Sequence, residues 1–168
     1  MTGFSSQDQL ILYREAFSIY GALNIPPCCL KLRRSQTTKS LDVFDSFRRR
    51  WVALTPEEWV RQHFTSFMIG TLGFSPFRIA NEVALKFNGM NRRADTVVYD
   101  DKLRPLVIVE YKAPNIELNN TVLQQALLYN LVFEAPALMI TNGKDTFSVV
   151  GDKIRKGFID GRAPQEDE

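Results

Sequence analysis

The chain has 168 residues, 45% of them hydrophobic and 24% charged, which predicts one globular domain and excludes a disordered or coiled-coil protein. Its 21 Lys and Arg residues and 19 Asp and Glu residues leave a net charge of +2, which by itself does not indicate a nucleic-acid partner. The sequence contains no apolar run long enough to span a membrane, and its first residues lack the pattern of a secretory signal. We therefore expect a cytoplasmic protein that does not associate with a membrane.

The sequence pattern of residues 1–44 predicts one helix and a small annex of two strands. Apolar residues recur at a spacing of three to four between residues 7 and 23, which is typical of an amphipathic helix. Short apolar segments at residues 29–34 and 41–44 predict two strands joined by a polar loop. We assign residues 1–22 to an N-terminal extension and residues 23–150 to the main domain.

A second helix begins with a clear capping signal. Thr55 is placed to be the N-cap, Pro56 to occupy the first helical position, and Glu58 to complete a capping box with its side chain. The apolar stripe that follows predicts a helix to about residue 72. His63 lies on the apolar side of this helix, where a buried, hydrogen-bonded histidine is favoured over a general base.

The remaining segments predict the main sheet. Three extended segments form a meander, and an apolar helix at residues 121–134 is followed by two short strands. The five predicted strands are residues 79–87, 94–99, 106–112, 137–141 and 147–150. We therefore expect an α/β fold with a mixed sheet of about four to five strands flanked by helices, and a polar C-terminal tail at residues 151–168.

One of these strands ends in charged residues. Leu106 begins an apolar run that ends with Glu110 and Lys112, which lie on one face because strand side chains alternate. If Tyr99 faces Leu106 across the preceding loop, Asp95 lies directly opposite Glu110. Two facing carboxylates destabilise a sheet unless a cation lies between them, and Mg²⁺ takes oxygen ligands of this kind.

The same residues allow a second interpretation. A register shifted by two residues places Asp95 opposite Lys112 and makes an ordinary cross-strand ion pair at a solvated edge. In the first register, Lys112 is a fixed positive charge beside the metal, placed to hold a phosphate or to lower the pKa of an attacking water. Spacing alone leaves both registers open.

Several motifs resemble a known nuclease family. Asp95 followed by Glu110-Tyr111-Lys112 resembles the PD-(D/E)xK nuclease signature, in which Asp and Glu bind Mg²⁺ and Lys assists the nucleophilic water. The wider sequence resembles the N-terminal nuclease domain of the restriction subunit of type I restriction enzymes, in particular its short, single-domain bacterial relatives. The segments that carry this resemblance are Leu54-Thr55-Pro56-Glu57-Glu58-Trp59-Val60-Arg61-Gln62-His63, Arg92-Arg93-Ala94-Asp95, Val109-Glu110-Tyr111-Lys112-Ala113-Pro114, Gln125-x-x-x-Tyr129-Asn130 and Thr141-Asn142-Gly143.

The resemblance implies roles for further residues. Gln125 and Tyr129 match the family's Gln-x-x-x-Tyr element and lie on one face of their helix, near the active site or the DNA backbone. The alternative is that Gln125 faces solvent and Tyr129 lies in the core. Glu82 is a candidate for an additional carboxylate at the metal site, with an ordinary surface position as the alternative.

Basic residues indicate where DNA would bind. Residues 31–50 carry seven positive and two negative side chains, a local balance of +5 that is consistent with a phosphate-contacting surface. The candidates for DNA contacts are Arg48, Arg49 and Arg50 in this segment and Arg92 and Arg93 just before Asp95. For the last two, a solvated turn is the alternative.

Together these observations predict a Mg²⁺-dependent DNA endonuclease, with Mn²⁺ as a substitute ion. Asp95, Glu110 and Lys112 are the predicted catalytic residues, and Asp95 and Glu110 the metal ligands. The alternative is a non-catalytic DNA- or protein-binding module with the nuclease fold. Because the chain has no Gly-x-x-x-x-Gly-Lys-Ser/Thr loop, a partner protein is expected to supply a motor or targeting function. A homodimer is a further candidate assembly, since one site cuts one strand.

Overall fold

The described part of the chain consists of three helices and two sheets. A computed structural model describes residues 6–87 and 89–161, apart from the side chains of residues 85–87, 90 and 129–133. The helices are α1 (Ser6–Tyr20), α2 (Pro56–Gly70) and α3 (Asn120–Phe133). None of them combines the length and the apolar character needed to cross a membrane.

The two sheets differ in size and in strand direction. The small sheet is antiparallel and contains β1 (Leu32–Arg34), β2 (Leu41–Asp45) and β3 (Arg50–Ala53) in that order. The central sheet contains β4 (Ile79–Phe87), β5 (Met90–Tyr99), β6 (Pro105–Tyr111), β7 (Ala137–Thr141), β8 (Thr146–Val150) and β9 (Lys153–Lys156), also in chain order. Within it β6 and β7 are parallel and α3 connects them, whereas the other neighbours are antiparallel.

The predicted α/β class and the mixed sheet flanked by helices are confirmed, but two strands were missed. The central sheet has six strands rather than four to five, because β9 lies within the predicted polar tail. All four side chains of β9 are exposed, so its sequence has no apolar alternation to reveal it. The small sheet likewise gains β3, which begins with Arg50 at the end of an arginine triplet.

Apolar side chains on both faces of the central sheet attach the helices. On one face, α2 packs Val60, Phe64 and Met68 against a core that includes Val107 and Val109. On the other face, α3 contributes Leu123 and Ala126 to a core that includes Val97, Ile108 and Leu138. A third core joins α1, the small sheet and the buried Trp59 of α2. The end of β6 therefore lies between two helix layers.

Helix α2 begins at the predicted cap, but the predicted capping box is wrong. The backbone N–H of Glu58 donates to Thr55 Oγ1 at 3.1 Å. The Glu58 carboxylate does not turn back to the cap. Arg48 Nη2 donates to its Oε1 at 2.6 Å, because burial of Glu58 favours a charged partner.

Candidate active site

The β5–β6 hairpin sets the spacing of the two candidate metal ligands. Thr96 faces Val109 in this ladder, so continuing the register by one residue places Asp95 opposite Glu110. This is the predicted register, and the alternative with Asp95 opposite Lys112 is not found. The premise at the loop end was wrong, because Tyr99 pairs with Pro105 and the register shifts between Val98 and Tyr99.

The neighbouring ladder is interrupted beside Asp95. Asp95 and Glu82 lie between the pairs Asn81–Thr96 and Val83–Ala94 and do not pair themselves. Glu82 has a φ of 56°, a left-handed conformation that is uncommon for residues other than glycine. In a regular strand, residues two apart share one face. Here Thr96 accepts a hydrogen bond from Tyr111 on the side of the sheet that α2 covers, whereas Ala94 packs in the core on the α3 side. Such backbone strain concentrates at functional sites.

The Asp95 carboxylate is held at both of its oxygens. The backbone N–H of Tyr111 donates to Asp95 Oδ2 at 3.0 Å. Arg61 Nη2 lies 3.4 Å from Asp95 Oδ1 as an ion pair. The two contacts come from different elements, β6 and α2, and together they fix the carboxylate at the end of the hairpin.

The Glu110 carboxyl group is buried and incompletely bonded. Its Oε1 atom has no hydrogen-bond partner within the described residues. Burial, and next the charge of Asp95, raise the pKa of Glu110 to about 8, against the opposing effects of Lys112 and Arg61. In the protein without a bound cation, Glu110 is therefore mostly protonated at pH 7.

Two neighbouring cavities open onto these residues. One has a volume of about 400 Å³ and is lined by Asp95, Glu110, Lys112 and both Arg92 and Arg93, among others. The second, of about 410 Å³, is lined by Glu110, Lys112, Arg92 and the predicted residue Gln125, together with apolar side chains of α3 and β7. Gln125 is exposed and yet shares this cavity with two of the three predicted catalytic residues.

Comparison with known proteins identifies the family. A family model described as "Type I restriction enzyme R protein N terminus (HSDR_N)" matches residues 56–159, which include both candidate ligands and Lys112. The chain belongs to this family. The predicted resemblance is thus confirmed at the family level. A search of curated proteins finds no match.

A solved structure has a similar fold. It is "The fragment structure of a putative HsdR subunit of a type I restriction enzyme from Vibrio vulnificus YJ016", 19% identical, with a TM-score of 0.50. The alignment covers 66% of this chain and 24% of the solved chain, so this chain spans less than a quarter of that protein's solved length. At this identity the likeness supports the fold alone.

Glu82, the candidate for an additional carboxylate at the metal site, lies between two arginines. Its Oε1 is 2.7 Å from Arg61 Nη1 and its Oε2 is 2.7 Å from Arg93 Nε. Within the described residues, no group of three or more His, Cys, Asp or Glu side chains is arranged to hold a metal ion. The side chain of Tyr129 lies outside the described part of the structure.

Among the arginines of residues 31–50 that were predicted to contact DNA, Arg49 and Arg50 are exposed, whereas Arg48 is largely buried. The Arg48 side chain is 12% exposed, and its Nε donates to Asp45 Oδ2 at 2.6 Å. Burial alone would raise the pKa of Asp45, but hydrogen bonds from Arg48 and Asn81 lower it below its usual value. Arg48 is therefore part of the interior and is not available for direct contact with a phosphate.

Arg61 is the residue at this site that the sequence analysis missed. Its side chain is 5% exposed and contacts the carboxylates of Glu58, Glu82 and Asp95. A signal was present in the sequence, because Arg61 falls inside the apolar stripe of α2, three residues after a glutamate. An arginine at such a position is buried only with charged partners.

His63 is a buried structural residue, as the favoured interpretation predicted. It is 2% exposed, its Nδ1 bonds the carbonyl oxygen of Trp59 at 2.8 Å, and its Nε2 bonds Tyr13 Oη at 3.0 Å. Burial lowers the pKa of His63 below its usual value, despite the opposing effect of the Trp59 carbonyl. Both ring nitrogens thus have partners that suit the neutral ring.

Proposed function

We propose that this chain is a Mg²⁺-dependent DNA endonuclease that hydrolyses phosphodiester bonds. The observation that carries the proposal is the proximity of Asp95 and Glu110, each one residue beyond the Thr96–Val109 pair, in a cavity that Lys112 also lines. Their proximity supports the proposal because the nuclease signature draws its carboxylates from two strands in this order.

The residues present fit a hard divalent cation. Glu110 Oε1 is buried without a hydrogen-bond partner in the described structure, and a second carboxylate lies close enough to raise the pKa of Glu110. A cation held by Asp95 and Glu110 would replace the proton on Glu110 and give its Oε1 atom a partner. Mg²⁺ is bound through one or two carboxylates, with water and phosphate oxygens completing its shell, so a third carboxylate is not needed. Mn²⁺ is the expected substitute.

The remaining side chains supply charge around the cavity. Bound Mg²⁺ would polarise the phosphate and lower the pKa of a coordinated water. Lys112 follows the strand face that bears Glu110 and is placed to orient the attacking water or to neutralise the phosphate. Arg92 and Arg93 line the same cavity and are the proposed contacts to the scissile strand, and Gln125 lines the neighbouring cavity.

We also propose that the substrate is DNA and that the protein acts with a partner. DNA is proposed because the solved relative is described as a subunit of a type I restriction enzyme. That relative is much longer than the aligned region, and we propose that a motor or targeting function acts together with this nuclease-like domain. A homodimer would supply the second site that double-strand cleavage requires.

A plasmid-nicking assay with matched variants tests the proposal. Wild-type protein with Mg²⁺ or Mn²⁺ should convert supercoiled DNA to the nicked form, and EDTA should abolish this conversion. Asp95→Asn, Glu110→Gln and Lys112→Gln should each lower the rate by about 100-fold or more, because each removes a group that stabilises developing charge or holds the metal.

The controls are Asp101→Asn and Lys102→Gln, exposed residues in the loop of the same hairpin. These variants make the same chemical changes away from the cavity and should keep the wild-type rate. Wild-type protein that binds DNA but never nicks it in either metal would sink the enzyme proposal and favour the non-catalytic binding module instead.

A further inference from the structure

The buried guanidinium of Arg61 lies where α2 crosses the end of the hairpin. Its side chain is 5% exposed, whereas Arg93, on the other side of Glu82, is 68% exposed. A buried arginine needs charged partners to offset the loss of hydration, so its position is set by those partners.

Three groups hold the guanidinium in place. Nη1 lies 2.7 Å from Glu82 Oε1 and 3.5 Å from Glu58 Oε2, and the guanidinium carbon lies 5.5 Å from the centre of the Tyr111 ring. The N–H bonds of Nη1 are not aligned for hydrogen bonds, so these contacts are ion pairs. Glu58 is itself held from the other side by Arg48 Nη2 at 2.6 Å.

The fourth contact reaches the candidate metal ligand. Nη2 lies 3.4 Å from Asp95 Oδ1, while the opposite oxygen of Asp95 accepts a backbone hydrogen bond. We propose that Arg61 is a positioning residue, which holds the Asp95 carboxylate in the orientation that lets it share a divalent cation with Glu110. This inference rests on the proposed function.

The contact geometry requires an arginine rather than any cation. One nitrogen of the guanidinium contacts Glu82 and the other contacts Asp95, so the planar fork ties the interrupted β4–β5 ladder to α2. A lysine retains the positive charge but offers a single nitrogen, which cannot make both contacts in the same geometry. Arg61→Lys therefore separates positioning from charge.

Calorimetry with Mn²⁺ alone, followed by nicking assays over a range of Mn²⁺ concentrations, tests this role. Arg61→Lys should weaken Mn²⁺ binding by about 10- to 100-fold, the range found for residues that orient metal ligands. Saturating Mn²⁺ should restore most of the nicking rate, because the chemistry is intact once the ion is bound. A merely structural residue would change the unfolding temperature and leave the Kd for Mn²⁺ unchanged.

Arg104→Lys is the matched control. Arg104 likewise uses two guanidinium nitrogens, Nε and Nη2, but both contact the single carboxylate of Asp100. Its side chain is 69% exposed and lies in the hairpin loop rather than at the cavity. This variant should bind Mn²⁺ with the wild-type Kd.

Glu82→Gln provides a second route that leaves Arg61 intact, in case Arg61→Lys does not fold. It removes the 2.7 Å anchor of Nη1 and should also weaken Mn²⁺ binding. The double variant should bind Mn²⁺ with about the same affinity as the weaker-binding of the two single variants, because both changes act through one chain of contacts. Additive losses would mean that Glu82 acts separately and would overturn this assignment.

The two proposals fail in different ways. Wild-type protein that binds no Mn²⁺ overturns the proposed function and this inference with it. Wild-type protein that binds Mn²⁺, beside a folded Arg61→Lys variant with the same Kd, overturns the inference and leaves the nuclease proposal standing.

Discussion

The Glu110 carboxyl group lies between one carboxylate and two cations. Burial and the charge of Asp95 raise the pKa of Glu110 to about 8, and the charges of Lys112 and Arg61 only partly oppose this effect. Because the folded protein binds the proton more tightly than the unfolded chain, the stability that this group contributes is complete below pH 4.5 and is lost as the pH rises through 8.

Glu110→Gln should therefore stabilise the metal-free protein at high pH. The amide has a similar shape and does not ionise, so the difference in free energy of unfolding should widen from pH 5 to pH 8 and reach on the order of 3 kcal/mol by pH 9. Urea titrations in EDTA at several pH values measure it. Glu117→Gln, at an exposed position, is the control and should show no such trend. A constant difference between Glu110→Gln and wild type across this range would contradict the pKa assignment.

The residue-scale prediction from sequence was good where contacts are local. Asp95 and Glu110 belong to one hairpin, so strand alternation and a short loop limited Asp95 to two candidate partners, Glu110 and Lys112. The sequence did not decide between them, because the register also depends on an irregularity at Tyr99. Arg61 was missed because its contact with Asp95 depends on how α2 packs over the sheet. Periodicity gives the buried side of a helix but not the partner that its residues meet.

At the scale of elements, α2 forms contacts in two directions. Its apolar stripe packs on the central sheet, while Trp59 and His63 contact Tyr13 of α1. The favoured interpretation of His63 was correct because a lone histidine on an apolar face usually has hydrogen-bond partners there. The capping box was wrong because a sequence pattern cannot show that a buried arginine competes for the glutamate.

The His63 contact predicts an acid-sensitive helix pair. Burial lowers the pKa of His63 below 6.5, so the unfolded chain takes up a proton that the folded protein does not. In the Glu110→Gln background, the free energy of unfolding should fall as the pH drops from 6.5 to 5, by at most about 1.4 kcal/mol per pH unit. His63→Asn should flatten this slope. Equal slopes in the two proteins would show that another group titrates.

At the scale of the whole molecule, buried charges connect the two sheets. Arg48 bonds Asp45 at the end of β2 and Glu58 in α2, and Asn81 of β4 donates to the same Asp45. The annex is therefore joined to the central sheet by specific polar contacts as well as by apolar packing. These contacts continue through Arg61 to the candidate active site.

Loss of Arg48 should destabilise the whole domain. Arg48→Met leaves the buried Asp45 carboxylate without its arginine and removes the nearer of the two arginines that contact Glu58. It should lower the free energy of unfolding by about 3 kcal/mol in urea titrations at pH 7. The comparison is Arg34→Gln, which breaks the exposed Arg34–Glu15 pair and should change the free energy of unfolding far less, because solvent screens that pair. If both changes have equally small effects, the buried network does not join the sheets as described.

The net charge of a sequence segment does not give the charge of the surface that the segment forms. The local balance of +5 in residues 31–50 includes Arg34 and Arg48, which pair with Glu15 and Glu58 from outside that segment. The order of the helices and of the main strands was predictable because each has its own apolar period. Strand β9 was not, because an exposed edge strand needs only backbone partners.

The hydrogen bond from the backbone of Tyr111 to Asp95 has an evolutionary consequence. Its donor is a peptide N–H, so no substitution at position 111 other than proline can delete it. Side chains around the site can therefore diverge while the two strands keep this link. A carboxylate tethered in this way can keep its place through extensive sequence drift, provided that an aspartate is retained at position 95.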